Sequence, residues 1–223
     1  FHPILIFSFF YFVEKRKFFK SANFTIFFII IYSFIMTPWW IHNYIKYDAF
    51  VRTNLSMGEI LYIGNNKLNK TGGGISGEDF TFQNFEDEFG RSLFSDPIEK
   101  DKILLNEALK FIYENPINFL NLSYKKFVRF WRLYPYAKDY SSTLYKSISI
   151  GSLLPIYIFS ILSLFYIKTK NLKKFIPIFL FIFFLNFVHI VSISSIRYRF
   201  PVEPFLLMMA GYFIYLNLKK IIK

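Results

Sequence analysis

Residues Phe175–Ile193 read FIPIFLFIFFLNFVHIVSI and decide the fold, since a single histidine is their only titratable residue. A helix needs about 20 mostly apolar residues to cross roughly 30 Å of hydrocarbon. The strands of a membrane β-barrel would instead alternate apolar and polar residues, and this run is continuous. The stretch therefore predicts a transmembrane helix.

Three more runs of comparable length have the same character: Phe24–Ile41, Ile148–Ile167 and Val202–Leu218. The shorter run Phe1–Val13 resembles the end of a fifth helix, and the sequence opens inside it without an initiator methionine. We therefore expect a C-terminal piece of a longer protein. With 54% hydrophobic and 23% aromatic residues, we predict an all-α polytopic membrane protein. It would have about five transmembrane helices, the first of them truncated.

Basic residues cluster in the short segments between these runs and predict the topology. The clusters are Lys15, Arg16, Lys17 and Lys20; Lys168, Lys170, Lys173 and Lys174; and Lys219, Lys220 and Lys223. Because Lys and Arg mark cytoplasmic loops, all three fall on one inner face, and residues 44–147 become external. The net charge of +12 then reflects topology, so no nucleic-acid partner is expected. The residue bias suggests a bacterium, which places the chain in its inner membrane with a cytoplasmic C-terminus.

The predicted organisation has three parts: residues 1–43 with the truncated and one full span, an external α(+β) domain at 44–147, and three spans at 148–223. In the external domain, Asp48–Asn66 alternates short apolar and polar stretches and predicts strands and turns. Asp96 and Pro97 begin a helix that Asn115-Pro116 ends. The sequence contains no cysteine, so neither disulfides nor thiolate metal sites are available.

A second external helix is predicted from Pro116 to Arg132, with one aromatic and apolar side and one basic side. The apolar side holds Ile117, Leu120, Tyr124, Phe127, Val128 and Trp131, and the basic side holds Lys125, Lys126, Arg129 and Arg132. Two arrangements are open. The helix lies flat on the bilayer, or it packs on its neighbour with a solvated basic side. The basic residues are expected to contact lipid headgroups.

Candidate site residues lie near the external ends of the predicted spans. Arg197, Tyr198 and Arg199 precede the rigid Pro201–Pro204 segment, and arginine forks suit the phosphate of a lipid carrier. The alternative is that both arginines reach to lipid headgroups from a helix end. His42 and Asn43 follow another span and are candidates for substrate contact, with an interfacial cap of that span as the alternative. Gly64, Asn65 and Asn66 form a turn expected to lie over the site, with a simple turn as the alternative. Two further sets are weaker candidates: Asp48 and Glu59 for acid–base assistance, and Glu86-Asp87-Glu88 for a divalent cation or a solvated acidic surface.

Several of these motifs occur together in an order that resembles one bacterial enzyme family. They are Thr37-Pro38-Trp39-Trp40-Ile41-His42-Asn43-Tyr44, Phe50-Val51-Arg52-Thr53-Asn54, Gly58, Tyr62–Asn66, the helices from Glu107 to Trp131, and Arg197–Val202 with Pro204. The pattern resembles the protein O-mannosyltransferase and aminoarabinose-transferase-like group of the glycosyltransferase C superfamily. The likeness spans most of the chain.

The resemblance implies a membrane glycosyltransferase that moves a sugar from a polyprenyl-phosphate carrier to a lipid, glycan or protein acceptor on the external face. The family's catalytic base lies in an early external loop, which is expected upstream of Phe1. This chain would supply lipid-phosphate binding and departs from the family at His42, where arginine is usual. The alternative is a non-enzymatic protein that binds or helps to translocate glycolipids. An O-antigen-ligase-like enzyme is disfavoured by the Pro38–Asn66 motifs.

Overall fold

The computed structural model describes residues 2–74, 89–90, 95–136, 142–167 and 169–221, and every regular element in these ranges is helical. In chain order they are α1 (His2–Ser8), continued by a π-helical turn (Phe9–Val13), then α2 (Phe18–Tyr47), α3 (Met57–Gly64), α4 (Pro97–Glu114), α5 (Pro116–Trp131), α6 (Thr143–Tyr166), α7 (Thr169–Val191), a 3₁₀-helix (Ile196–Val202) and α8 (Glu203–Ile221).

Four helical stretches are long and apolar enough to span a membrane: Phe18–Tyr47, Thr143–Tyr166, Leu172–Val191 and Ile196–Lys219. They coincide with the four full runs predicted from the sequence, so the all-helical class is confirmed for the described residues. The apolar helix His2–Val13 is shorter, and the fifth span stays a prediction. The architecture is compatible with a multi-pass membrane protein.

The chain forms two compact units. The first comprises Phe1–Ile29, Trp131–Leu185 and Ile196–Lys223, and the second comprises Ile30–Phe130 and Asn186–Ser195. In the first unit, α6 and α8 pack closely because their contact contains small residues. Ser160 is buried and its hydroxyl donates to the Leu206 carbonyl at 2.6 Å. Such small-residue contacts are the usual way for membrane helices to associate.

The second unit is built around the contact of α3 with α4. Its core includes Tyr62, Ile63, Leu104 and Ala108, all buried. Asp101 of α4 accepts the Gly58 amide at 2.7 Å, which satisfies a donor at the first turn of α3. A Cβ at Gly58 would lie 1.8 Å from the Asp101 carbonyl oxygen. The glycine therefore permits the two helices to approach.

Two local predictions have different outcomes. Asp96 begins α4 as predicted, since its carboxylate accepts the amides of Ile98 and Glu99 at 2.8 and 3.2 Å. The strands predicted within Asp48–Asn66 are wrong, because this segment contains α3 and no strand occurs in the described part of the chain. Tertiary burial explains the error. Tyr62 and Ile63 pack into the core from a short helix, and a continuous apolar run as short as Ile60–Ile63 does not distinguish a buried helix from a buried strand.

Candidate functional site

Three side chains near the C-terminal end of α2 bind the backbone of the non-helical segment that follows it. Each side chain donates one hydrogen bond to a backbone carbonyl, and the three carbonyls belong to consecutive residues. Trp39 Nε1 donates to Thr53 at 3.1 Å, Trp40 Nε1 to Arg52 at 2.9 Å, and Asn43 Nδ2 to Val51 at 3.1 Å. Two sequence motifs, Thr37–Tyr44 and Phe50–Asn54, are thereby brought together within the second unit.

A cavity of about 280 Å³ lies between these two segments. Its lining residues are Trp39, His42, Asn43, Lys46, Tyr47, Val51, Thr53, Asn54, Leu55 and Pro97. The imidazole of His42 is exposed and stacks on the Trp39 indole, with ring centroids 5.8 Å apart and an interplanar angle of 24°. Aromatic faces, one ammonium group and amide and hydroxyl groups therefore border one small space.

The two sequence-predicted residues at this cavity have different environments. His42 is exposed and presents its ring, whereas Asn43 is only 3% exposed and its amide nitrogen bonds to the Val51 carbonyl. Asn43 thus fixes the cavity wall. Lys46 was not singled out from the sequence, although it lies one helical turn after His42. The i, i+4 spacing on a helix was the available signal.

Gly64, Asn65 and Asn66 end α3, and their contacts explain the motif. A Cβ at Gly64 would lie 1.9 Å from the Ser192 carbonyl oxygen, so only glycine fits this crossing. Asn65 donates to the carbonyls of Leu61 and Val191, both at 2.8 Å. Asn66 is buried and its carboxamide closes the following turn. These residues join α3 to the end of α7 within the second unit.

Lys126 of α5 also contacts Asn65 and the end of α7, and the sequence did not predict this contact. Its side chain is fully buried, and its ammonium donates to Asn65 Oδ1 at 2.8 Å and to the Val191 carbonyl at 3.3 Å. No ion pair with a carboxylate is found for it within the described residues. Burial lowers its pKa from 10.5 to about 7, because the charged form loses its hydration. A lysine of this kind sits close to half-protonated near neutral pH.

The prediction that Lys126 and Arg129 contact headgroups or water is therefore wrong, since both are buried together with Leu122 and Phe130. The interior side of α5 is formed by residues 122, 126, 129 and 130, and the aromatic side faces outward. The Gly72-Gly73 turn packs on the two cations, and a Cβ at Gly73 would lie 2.8 Å from the Arg129 guanidinium carbon. The prediction placed Lys126 and Arg129 on the exposed side of α5 because of their charge, whereas packing places them on its interior side.

Arg197, Tyr198 and Arg199 lie in the 3₁₀-helix of the first unit. Arg199 is 1% exposed; its guanidinium bonds to Glu203 Oε1 at 3.1 and 3.2 Å and to the Arg132 carbonyl at 2.8 Å. Arg197 is exposed, with its guanidinium 5.3 Å from the centre of the Tyr198 ring. The two arginines thus differ: Arg199 is anchored by protein groups, and Arg197 presents its charge.

The structure also gives the surroundings of Glu59 and Asp48, two of the weaker candidates. Glu59 forms an ion pair with Lys100 at 2.6 Å, and Asp48 follows α2 with a φ of 48°. Glu86-Asp87-Glu88 lies outside the described residues. Among the residues described, no group of three or more His, Cys, Asp or Glu side chains is arranged to hold a metal ion.

Comparison with known proteins adds no family. No family model, curated protein or solved structure matches this chain.

Proposed function

We propose that this chain is the carrier-binding part of a membrane glycosyltransferase that uses a polyprenyl-phosphate sugar as donor. The single observation that carries the proposal is the cavity lined by Trp39, His42 and Lys46 at the end of an apolar helix. Sugar rings stack on aromatic faces, and an ammonium group attracts phosphate. A donor whose prenyl tail lies in the bilayer would present both groups at the membrane surface.

Arg197 supports the same proposal from the first unit. It is exposed just before a span, whereas Arg199 is held by Glu203. We assign Arg197 to contact with an anionic phosphate and Arg199 to positioning the 3₁₀-helix. Arginine suits this role because its charge persists at any relevant pH and its fork of donors matches phosphate oxygens.

One observation favours the alternative, a glycolipid-binding protein without transferase activity. No carboxylate is among the described residues that line the cavity, and a transferase requires a general base to take the acceptor proton. The family that the sequence resembles carries this base in an early external loop. The two functions are distinguished by assaying the full reading frame, reconstituted in vesicles, for transfer of a radiolabelled sugar from its polyprenyl-phosphate carrier.

Binding is tested separately from transfer with a fluorescent polyprenyl-phosphate sugar and reconstituted protein. His42→Ala should weaken binding about 2- to 10-fold, because an aromatic contact contributes about 0.5–1.5 kcal/mol beyond its buried area. Tyr44→Ala is the matched control, since Tyr44 is exposed on the same helix but does not line the cavity. Equal affinities for the two variants, or no binding by the unmodified protein, would exclude this site.

A further inference from the structure

The turn that joins α1 to α2 has an unusual backbone. The π-helical turn Phe9–Val13 ends α1, with the Glu14 amide bonded to the Phe9 carbonyl at 3.1 Å and the Arg16 amide to the Phe10 carbonyl at 3.0 Å. Lys15 then adopts a left-handed conformation with a φ of 54°. Residues other than glycine seldom adopt this conformation, and π-turns are frequent at functional positions.

Lys15 and Arg16 of this turn line a cavity of about 410 Å³ in the first unit. The lining residues are Tyr11, Phe12, Lys15, Arg16, Lys173 and Lys174. Two basic clusters that lie far apart in the sequence therefore meet at one place. The acidic residue nearest in sequence, Glu14, is exposed and is not among the residues that line the cavity.

Four positive charges around one space repel each other, and an anion between them would offset that repulsion. Arg16 gives an independent indication of a missing partner. Its Nε atom is inaccessible to water and has no hydrogen-bond partner in the described part of the chain, while its guanidinium lies 5.1 Å from the centre of the Phe24 ring. A buried guanidinium N–H without an acceptor is costly, and an anion in the adjoining cavity would offset the charge of this guanidinium.

We propose that this cavity binds the phosphate of an anionic phospholipid headgroup. The ligand is a phosphodiester, which the Arg16 fork and the three lysine ammonium groups would neutralise. Lipid is favoured over free phosphate because Tyr11 and Phe12 form an aromatic wall, and both belong to an apolar helical segment. Basic pockets among membrane helices are known to take acidic headgroups. The proposal does not depend on the glycosyltransferase assignment.

The test uses the whole chain reconstituted in vesicles of phosphatidylcholine with phosphatidylglycerol, and native mass spectrometry counts the lipid that stays bound. Arg16→Gln with Lys173→Gln should weaken retention of phosphatidylglycerol about 30-fold, from about 1 kcal/mol for each basic residue. The control, Lys20→Gln with Lys219→Gln, removes two exposed charges outside the cavity. Its affinity should change less than about threefold.

A second variant guards against misfolding. Lys173→Gln with Lys174→Gln changes only exposed side chains, and it should lose affinity to a similar extent.

Competition with inorganic phosphate identifies the source of the anion. If it fails to compete, the site takes the lipid headgroup as proposed; if it displaces the lipid at low concentration, the assignment to lipid is overturned and a free-phosphate site replaces it. Equal retention of both lipids, or equal losses in cavity and control variants, would overturn the site itself.

Discussion

Replacing Lys126 with methionine should remove the pH dependence of stability that this residue imposes. The methionine has a similar length and is apolar, so it keeps most of the packing in the buried site. The change removes the ammonium group that donates to Asn65 Oδ1 at 2.8 Å. The cost of burying the charge depends on pH, whereas the loss of the hydrogen bond does not. Comparing the free energy of unfolding at several pH values therefore separates the two contributions.

The magnitude follows from the pKa of Lys126, which burial lowers from 10.5 to about 7. At about 1.4 kcal/mol per pH unit, keeping this amine charged in the folded protein costs about 5 kcal/mol. Below pH 7 both the folded and unfolded forms hold the proton, so the full cost applies. Between pH 7 and 10.5 the unfolded form binds more protons, and stability therefore rises with pH. From pH 7 to 9 the expected gain is about 2–3 kcal/mol.

Methionine also leaves Asn65 Oδ1 without this donor, at a cost of about 1–3 kcal/mol. Lys126→Met should thus be about 2–4 kcal/mol more stable than the unmodified protein at pH 6 and less stable above pH 10. Thermal unfolding in detergent micelles measures this, and the unmodified protein should gain about 5–10 °C in Tm from pH 7 to 9 relative to the variant. Lys125→Met, which changes the exposed neighbouring residue, is the control. Parallel curves for Lys126→Met and the unmodified protein would refute the reasoning.

Three further predictions concern packing and the membrane. Gly64→Ala should destabilise the protein by about 1–3 kcal/mol, because a Cβ would lie 1.9 Å from a backbone oxygen. The control is Gly211→Ala, where the added Cβ would meet open space. It should change the free energy of chemical unfolding by less than about 1 kcal/mol. Glu203→Gln should cost about 3 kcal/mol in the same assay, since it leaves a buried guanidinium without its carboxylate; a neutral result would show that the guanidinium is hydrated. The chain has no cysteine, so spin labels report cleanly. A label at Tyr124, which is 67% exposed, should collide with lipid-dissolved oxygen, and one at exposed Asn118 with an aqueous nickel complex. Aqueous contact at both positions would exclude the flat-on-bilayer arrangement of α5.

The membrane helices were predictable because their signal is local. Runs such as Phe175–Ile193 are long and uncharged, and no tertiary contact is needed to recognise them. The N-terminus of α4 was predictable for the same reason, since Asp96 and Pro97 determine it within a few residues. α3 was missed because eight residues are too few to show a helical period clearly.

The candidate site was predictable only in part. His42 and Asn43 were identified as a pair, but the cavity beside them requires the segment Val51–Asn54, whose position depends on three side-chain hydrogen bonds. Lys126 could not be found from the sequence, because a lysine on an amphipathic helix is ordinarily exposed. Its burial depends on Asn65 and on the close approach that Gly64 permits.

The most direct test of the central proposal places a photo-crosslinking amino acid at His42 in the reconstituted protein, with the same replacement at Tyr44 as the control. Irradiation with a radiolabelled polyprenyl-phosphate sugar should label the protein from position 42 and not from position 44, because His42 lines the cavity and Tyr44 does not. Excess unlabelled donor should abolish this labelling. Equal labelling at both positions, or labelling that the unlabelled donor does not reduce, would contradict a carrier-binding site at the end of α2.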